Sequence, residues 1–160
     1  MNLGFTSIKS VTEISIPIPK NFEESRYLFV LDLDDTLINL EGSLRNPGIV
    51  QWINLILDYH DILICTYRGM TSFSTTEEQL RTLGLGRVLD QNSYPGGFMF
   101  GSGLLYHNVF YSKNKGHSIF EYRVFLYPKQ WVVIYFADDQ PGAILEVKSY
   151  NPEVIAYLVY

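Results

Sequence analysis

The sequence predicts an α/β fold with a mostly parallel central sheet, carried by a single domain spanning residues 1–160. Three continuous apolar runs, residues 27–31, 62–65 and 131–137, have the composition of strands buried on both faces. Helical periodicity lies between them, so the strands are joined by right-handed crossovers and helices cover both faces of the sheet. The third observation lies just past the end of each run: Asp32-Leu33-Asp34-Asp35-Thr36, Thr66-Tyr67-Arg68-Gly69 and Asp138-Asp139. Ligands of open parallel sheets bind beyond the carboxyl ends of the strands, so these loops mark the functional edge.

Along the chain, residues 11–18 alternate apolar and polar, with prolines that suit an edge strand. After the run 27–31, Pro47 opens a helix whose apolar positions are Ile49, Val50, Trp52, Ile53, Ile56 and Leu57. Beyond the run 62–65, residues 75–83 read as a helix, with Thr75 and Glu78 at capping-box spacing and Gly84 and Gly86 as stops. Glycine-rich residues 93–112 read as a hairpin or flap. A further helix occupies 115–126, with Pro128 behind it. The chain is apolar through Tyr160, which fits either a strand tied into the sheet or a cut in a longer chain.

Composition narrows the function classes. The net charge is −5 with 12 lysines and arginines, and no window gathers them into a basic stripe, so nucleic acid is not an expected partner. The single cysteine, Cys65, sits in an apolar run and reads as a buried small hydrophobe, which fits a reducing compartment. Residues 1–10 lack the apolar core of a secretory signal, and the uncharged stretch 91–112 is too rich in glycine for a membrane span. A cytoplasmic protein is therefore expected. Aromatic residues make up 15% of the chain and read mainly as core.

Acidic side chains collected at one sheet edge repel one another, and a hard cation such as Mg²⁺ is their natural compensation. It also lets a phosphate dianion approach carboxylates that would otherwise reject it. The pattern resembles the haloacid-dehalogenase superfamily, and within it the phosphatases, over roughly residues 27–148. The superfamily's Asp-x-Asp-x-Thr after an apolar strand is matched by Asp32, Asp34 and Thr36. Its strand-ending hydroxyl residue is matched by Thr66, its lysine near a helix start by Lys115, and its acidic pair by Asp138 and Asp139.

The resemblance implies a Rossmann-like fold and a set of roles. Asp32 would attack phosphorus and carry an aspartyl-phosphate. Asp34 would be the general acid and base. Thr66 and Lys115 would bind phosphate, and Arg68 either clamps phosphate or substrate or lies on the surface. Mg²⁺ would sit among Asp32, the backbone carbonyl of Asp34, and the Asp138-Asp139 pair, with Asp139 the better ligand. Thr66 also reads as an ordinary β-branched strand residue. Lys113 and Lys129 compete with Lys115, which Gly116 and the following helix favour. His117 reads as a helix-start histidine.

An aspartate at position 34 fits a reaction whose leaving group needs a proton, as in a phosphatase or phosphomutase. The short stretches 37–62 and 67–114 leave no room for a large cap, so the site is open and water reaches the aspartyl-phosphate. An open site favours a phosphoprotein substrate, with phosphotyrosine suggested by the rings of Tyr94, Phe98, Phe100 and Tyr106. A small phosphomonoester, or a phosphate- or metal-binding interaction module without turnover, is the alternative. Residues 76–84, the glycine-rich hairpin and Lys115-Gly116 are similar to a group of this superfamily in intracellular bacteria such as legionellae and chlamydiae. That likeness implies delivery into a host cell as an alternative to the bacterial cytoplasm.

Overall fold

The computed structural model describes residues 4–19, 26–91, 96–126 and 131–160. Tyr94, Pro128 and Lys129 lie outside them. Among the described residues, eight strands form one sheet: β1 (Phe5–Ile8), β2 (Tyr27–Leu31), β3 (Asp61–Thr66), β4 (Gly97–Phe100), β5 (Gly103–Tyr106), β6 (Val109–Ser112), β7 (Val133–Asp138) and β8 (Ile155–Val159). Their spatial order is β1-β8-β7-β2-β3-β6-β5-β4. Every pairing from β1 to β6 in that order is parallel, and β6-β5 and β5-β4 are antiparallel. The helices are α1 (Ile49–Tyr59), α2 (Phe73–Thr82), α3 (Gly86–Leu89), α4 (Lys115–Phe125) and α5 (Pro141–Tyr150). The mostly parallel α/β architecture is thus as the apolar runs foretell. No helix among the described residues is long and apolar enough to cross a membrane.

Side chains from alternate positions of the central strands feed two cores, one on each face of the sheet. Phe29, Leu31, Ile62 and Ile64 join Trp52, Ile53 and Ile56 of α1 on one face. Leu28, Val30, Leu63, Cys65 and Phe136 join Ile119 and Tyr122 of α4 and Ile144 and Val147 of α5 on the other. That two-sided burial is why β2 and β3 read as unbroken apolar runs. β7 is less complete, because Val132 before it is exposed and Tyr135 within it is only partly buried.

Four local expectations are corrected. Residues 11–18 form no strand: a capping box between Ser10 and Glu13 closes Val11–Glu13 into a 3-10 turn, and the edge strand is β1. The helix expected at Thr75 begins at Phe73, because a 3-10 turn at Met70–Ser72 runs into it; the Thr75 hydroxyl donates back to Ser72 O instead of capping. Gly84, at φ 86°, ends α2 as a left-handed residue, but Gly86 begins α3. Residues 97–112 form antiparallel hairpins as expected, but in a meander that is no separate flap, since β6 pairs with β3 and extends the sheet. At the end of the chain, β8 is a strand tied between β1 and β7.

α4 and α5 meet without an intervening side chain at Gly116, where an added Cβ would lie 2.2 Å from Glu146 O and 2.8 Å from the Tyr150 ring. Gly116→Ala must therefore push the helices apart. Overpacking of this kind costs roughly 1–3 kcal/mol, and the expected readout is a lowered midpoint in thermal unfolding. An unchanged midpoint would show that the contact yields at no cost.

Candidate active site

Strand direction alone gathers the site. Because β7, β2 and β3 are parallel neighbours, Asp138, Asp32 and Thr66 emerge side by side at their carboxyl ends. α4 then enters from the β6 side with Lys115 at its first position, its N-terminus capped by Asn114 Oδ1 accepting from His117 N. A cleft of about 360 Å³ opens there, lined by Asp32, Asp34, Asp35, Thr66, Tyr67, Arg68, Lys115, Asp138, Asp139 and Gln140. Every residue expected to act as acid, nucleophile, phosphate ligand or metal ligand lies in that lining. Lys113 and His117 do not.

Lys115 is fully buried, and its Nζ donates to Asp32 Oδ1 at 2.7 Å and to Asp138 Oδ2 at 2.6 Å. Burial alone would lower its affinity for a proton. The two carboxylates overcome that and hold the ammonium above its ordinary pKa. Asp32 is pushed up to about 7, chiefly by burial, with Lys115 opposing and Asp138 adding. Asp138 is raised for the same first reason, again against Lys115. Cys65 is pushed up to about 12 by burial and is chemically quiet.

The remaining contacts orient the groups. Thr36 Oγ1 donates to Asp32 Oδ2 at 2.8 Å, so both oxygens of Asp32 are directed. The chain reaches Thr36 through a tight turn in which Asp35 takes a left-handed φ of 63° and Leu33 O accepts from the amides of Thr36, Leu37 and Ile38. Gln140 N donates to Asp138 Oδ1 and Gln140 Nε2 to Asp139 Oδ2, so neighbouring residues fix both acids of the pair. Arg68 forks onto Asp34, with Nε to Oδ2 at 2.9 Å and Nη2 to Oδ1 at 2.8 Å.

Sequence reasoning assigns no role to Thr36, Tyr67, Gln140 or Glu146. Tyr67 comes directly after Thr66, so the strand-end rule could have flagged it. Its ring lies 4.4 Å from Lys115 Nζ, and its hydroxyl donates to Glu146 Oε1, which also accepts from Lys115 N. Glu146 reaches the site only through the α4–α5 packing and carries no local signal. The expected rings lie elsewhere: Phe98 and Phe100 pack on Phe125, and Tyr106 packs on Phe73. Among the described residues, Tyr67 is the aromatic side chain lining the cleft.

Oxygen atoms of Asp32, Asp138 and Asp139 lie within 4.8 Å of one another, a spacing and donor chemistry that could hold a hard cation. With Asp34 and Asp35 the cleft presents five carboxylates to two cationic side chains, so an added cation would be electrostatically welcome. No buried side-chain polar atom among the described residues lacks a hydrogen-bond partner, so the site is organised before any ligand arrives. No protein-family model, curated protein or solved structure matches the chain.

Proposed function

We propose that the chain is a Mg²⁺-dependent phosphomonoester hydrolase that works through an aspartyl-phosphate on Asp32. The observation that carries this reading is the buried Lys115 ammonium held between Asp32 and Asp138, one hydrogen bond from the proposed nucleophile. A lysine so placed offsets the charge of the carboxylate and of an incoming phosphate together. The Asp32 oxygen attacks phosphorus as the ester P–O bond breaks, and Asp34 gives its proton to the departing oxygen. A water, deprotonated by Asp34, then attacks phosphorus and breaks the bond to Asp32, releasing inorganic phosphate.

Thr66 and the amides after Asp32 hold phosphate oxygens. Asp32, Asp138 and Asp139, with the Asp34 carbonyl, would hold Mg²⁺, which would supply the positive charge that admits a phosphate dianion. The open cleft supports a phosphoprotein substrate: between β2 and α1 the chain forms no helix or strand, only turns and two isolated bridges, Asp34–Ile38 and Ile38–Leu44. Tyr67, half-exposed beside Lys115, takes over from the meander rings as the group suited to a phosphotyrosine ring.

The test is a panel of phosphotyrosine, a phosphotyrosyl peptide, a phosphoprotein and small alkyl phosphates, each with Mg²⁺ and with excess chelator. Catalytic efficiency is expected to rise with substrate size, because remote contacts add binding energy, and to vanish with chelator. Asp34→Asn should cost about 10²–10⁴-fold on the alkyl esters. Absence of Mg²⁺-dependent turnover across the panel would overturn the reading. Preference for one small metabolite would move it to a small-molecule phosphatase.

A further inference from the structure

The guanidinium of Arg68 has a structural job that phosphate binding does not explain. Three of its N–H donors are committed: Nε and Nη2 to the two oxygens of Asp34, and Nη1 to Thr76 Oγ1 at 3.1 Å. Thr76 is fully buried on α2, so this third contact ties the arginine to the body of the domain. The main chain of Arg68 is tied as well, its N–H donating to Thr66 Oγ1 at 3.1 Å. The arginine is also the less exposed partner, its side chain 22% exposed against 54% for Asp34. Among the described residues the Asp34 side chain makes no other hydrogen bond. An exposed carboxylate is thus held in one orientation by a guanidinium fork that is itself anchored on Thr76.

We propose that Arg68 is a positioning residue: mounted on Thr76, it fixes the Asp34 carboxylate at the mouth of the cleft and so sets the geometry of proton transfer. This rests on the phosphatase reading given above, in which Asp34 is the acid and base. Proton transfer requires hydrogen-bond reach to the leaving oxygen, and small displacements of a reacting group are costly in rate. A phosphate clamp would act differently, since an arginine holding phosphate contributes to substrate binding itself.

The two roles separate in steady-state kinetics of Arg68→Ala, Arg68→Lys, Asp34→Asn and the double variant Arg68→Ala/Asp34→Asn, assayed on one alkyl phosphate with Mg²⁺. A positioning role lowers kcat in Arg68→Ala by about 10²-fold with KM nearly unchanged. Arg68→Lys fares little better, because an ammonium keeps the charge and loses the fork. The double variant is no slower than Asp34→Asn alone, since the arginine acts only through the aspartate. Thr76→Val, which leaves Arg68 and Asp34 in place, lowers kcat by a smaller factor.

Losses that multiply in the double variant, or a raised KM with kcat retained, would overturn the inference and make Arg68 a phosphate clamp. Restoration by lysine would overturn it too, by showing that charge alone suffices. If Asp34→Asn is as active as the unaltered protein, the acid–base reading itself fails, and that outcome is recognised without any arginine variant.

Discussion

Asp32→Asn will reduce Mg²⁺-dependent phosphate release to background, a loss on the order of 10⁶-fold as for other covalent nucleophiles. The substitution keeps shape and volume: its amide oxygen can still accept from Lys115, and its NH2 can donate to the Thr36 hydroxyl, which lies 2.8 Å from the present carboxylate. What it removes is the charge and the nucleophilic oxygen pair. Lys115 keeps Asp138 as a partner at 2.6 Å, so the fold survives and the loss reads as chemistry. The check is an initial-rate assay with an aryl phosphate beside a thermal melt. A folded Asp32→Asn protein within tenfold of the original rate would mean that water attacks phosphorus directly.

Lys115→Met carries the second large effect, on stability as well as activity. Methionine fills much of the volume of the lysine stem but leaves Asp32 and Asp138 facing each other without the ammonium that joins them. Stranding buried charge in this way costs about 3–5 kcal/mol. Burial already raises both carboxyls, and without Lys115 its main opponent is gone, leaving only the weaker Gln140 amide bond to Asp138 against it, so the folded variant holds their protons more tightly than the unfolded chain does. Its stability is therefore greatest at acid pH and falls as pH rises out of the ordinary carboxylate range. Thermal melts at pH 5 and pH 8 should show a deficit that widens with pH, and Mg²⁺ should recover more of it than it adds to the unaltered protein. A deficit independent of pH would show that lost packing, and not stranded charge, is the cause.

How far the sequence can be read depends on how each signal is encoded. β2 and β3 are legible because burial on both faces leaves no polar position to confuse the reading, and the acids at the strand ends are found by the same rule. β1 escapes notice because Phe5-Thr6-Ser7-Ile8 buries only its last residue, while residues 11–18 alternate without pairing. α5 escapes it despite Pro141 at its start, since its apolar face of Ala143, Ile144 and Val147 is short. Lys115 can be picked over Lys113 only through its helix-start context, which the structure explains: the first position of α4 delivers the side chain to the ends of β2 and β7. Arg68 is legible as a site residue, but its partner is not, because the contact to Asp34 spans 34 positions and depends on β2 lying beside β3.

That same dependence on strand order has a kinetic side. Asp32, just past the end of β2, meets Lys115 across 83 positions and must also wait for β7, which comes after that lysine in the chain. Neither half of the molecule contains the whole cluster, and non-local parallel pairings are slow to form because chain entropy is lost before contacts reward it. Helical content and hydrophobic collapse will return early in refolding, whereas the complete site can return only once β7 has docked beside β2. Assembly of the site is thus a clock for the docking of β7, and intermediates stalled before it will lack the site whatever their secondary structure.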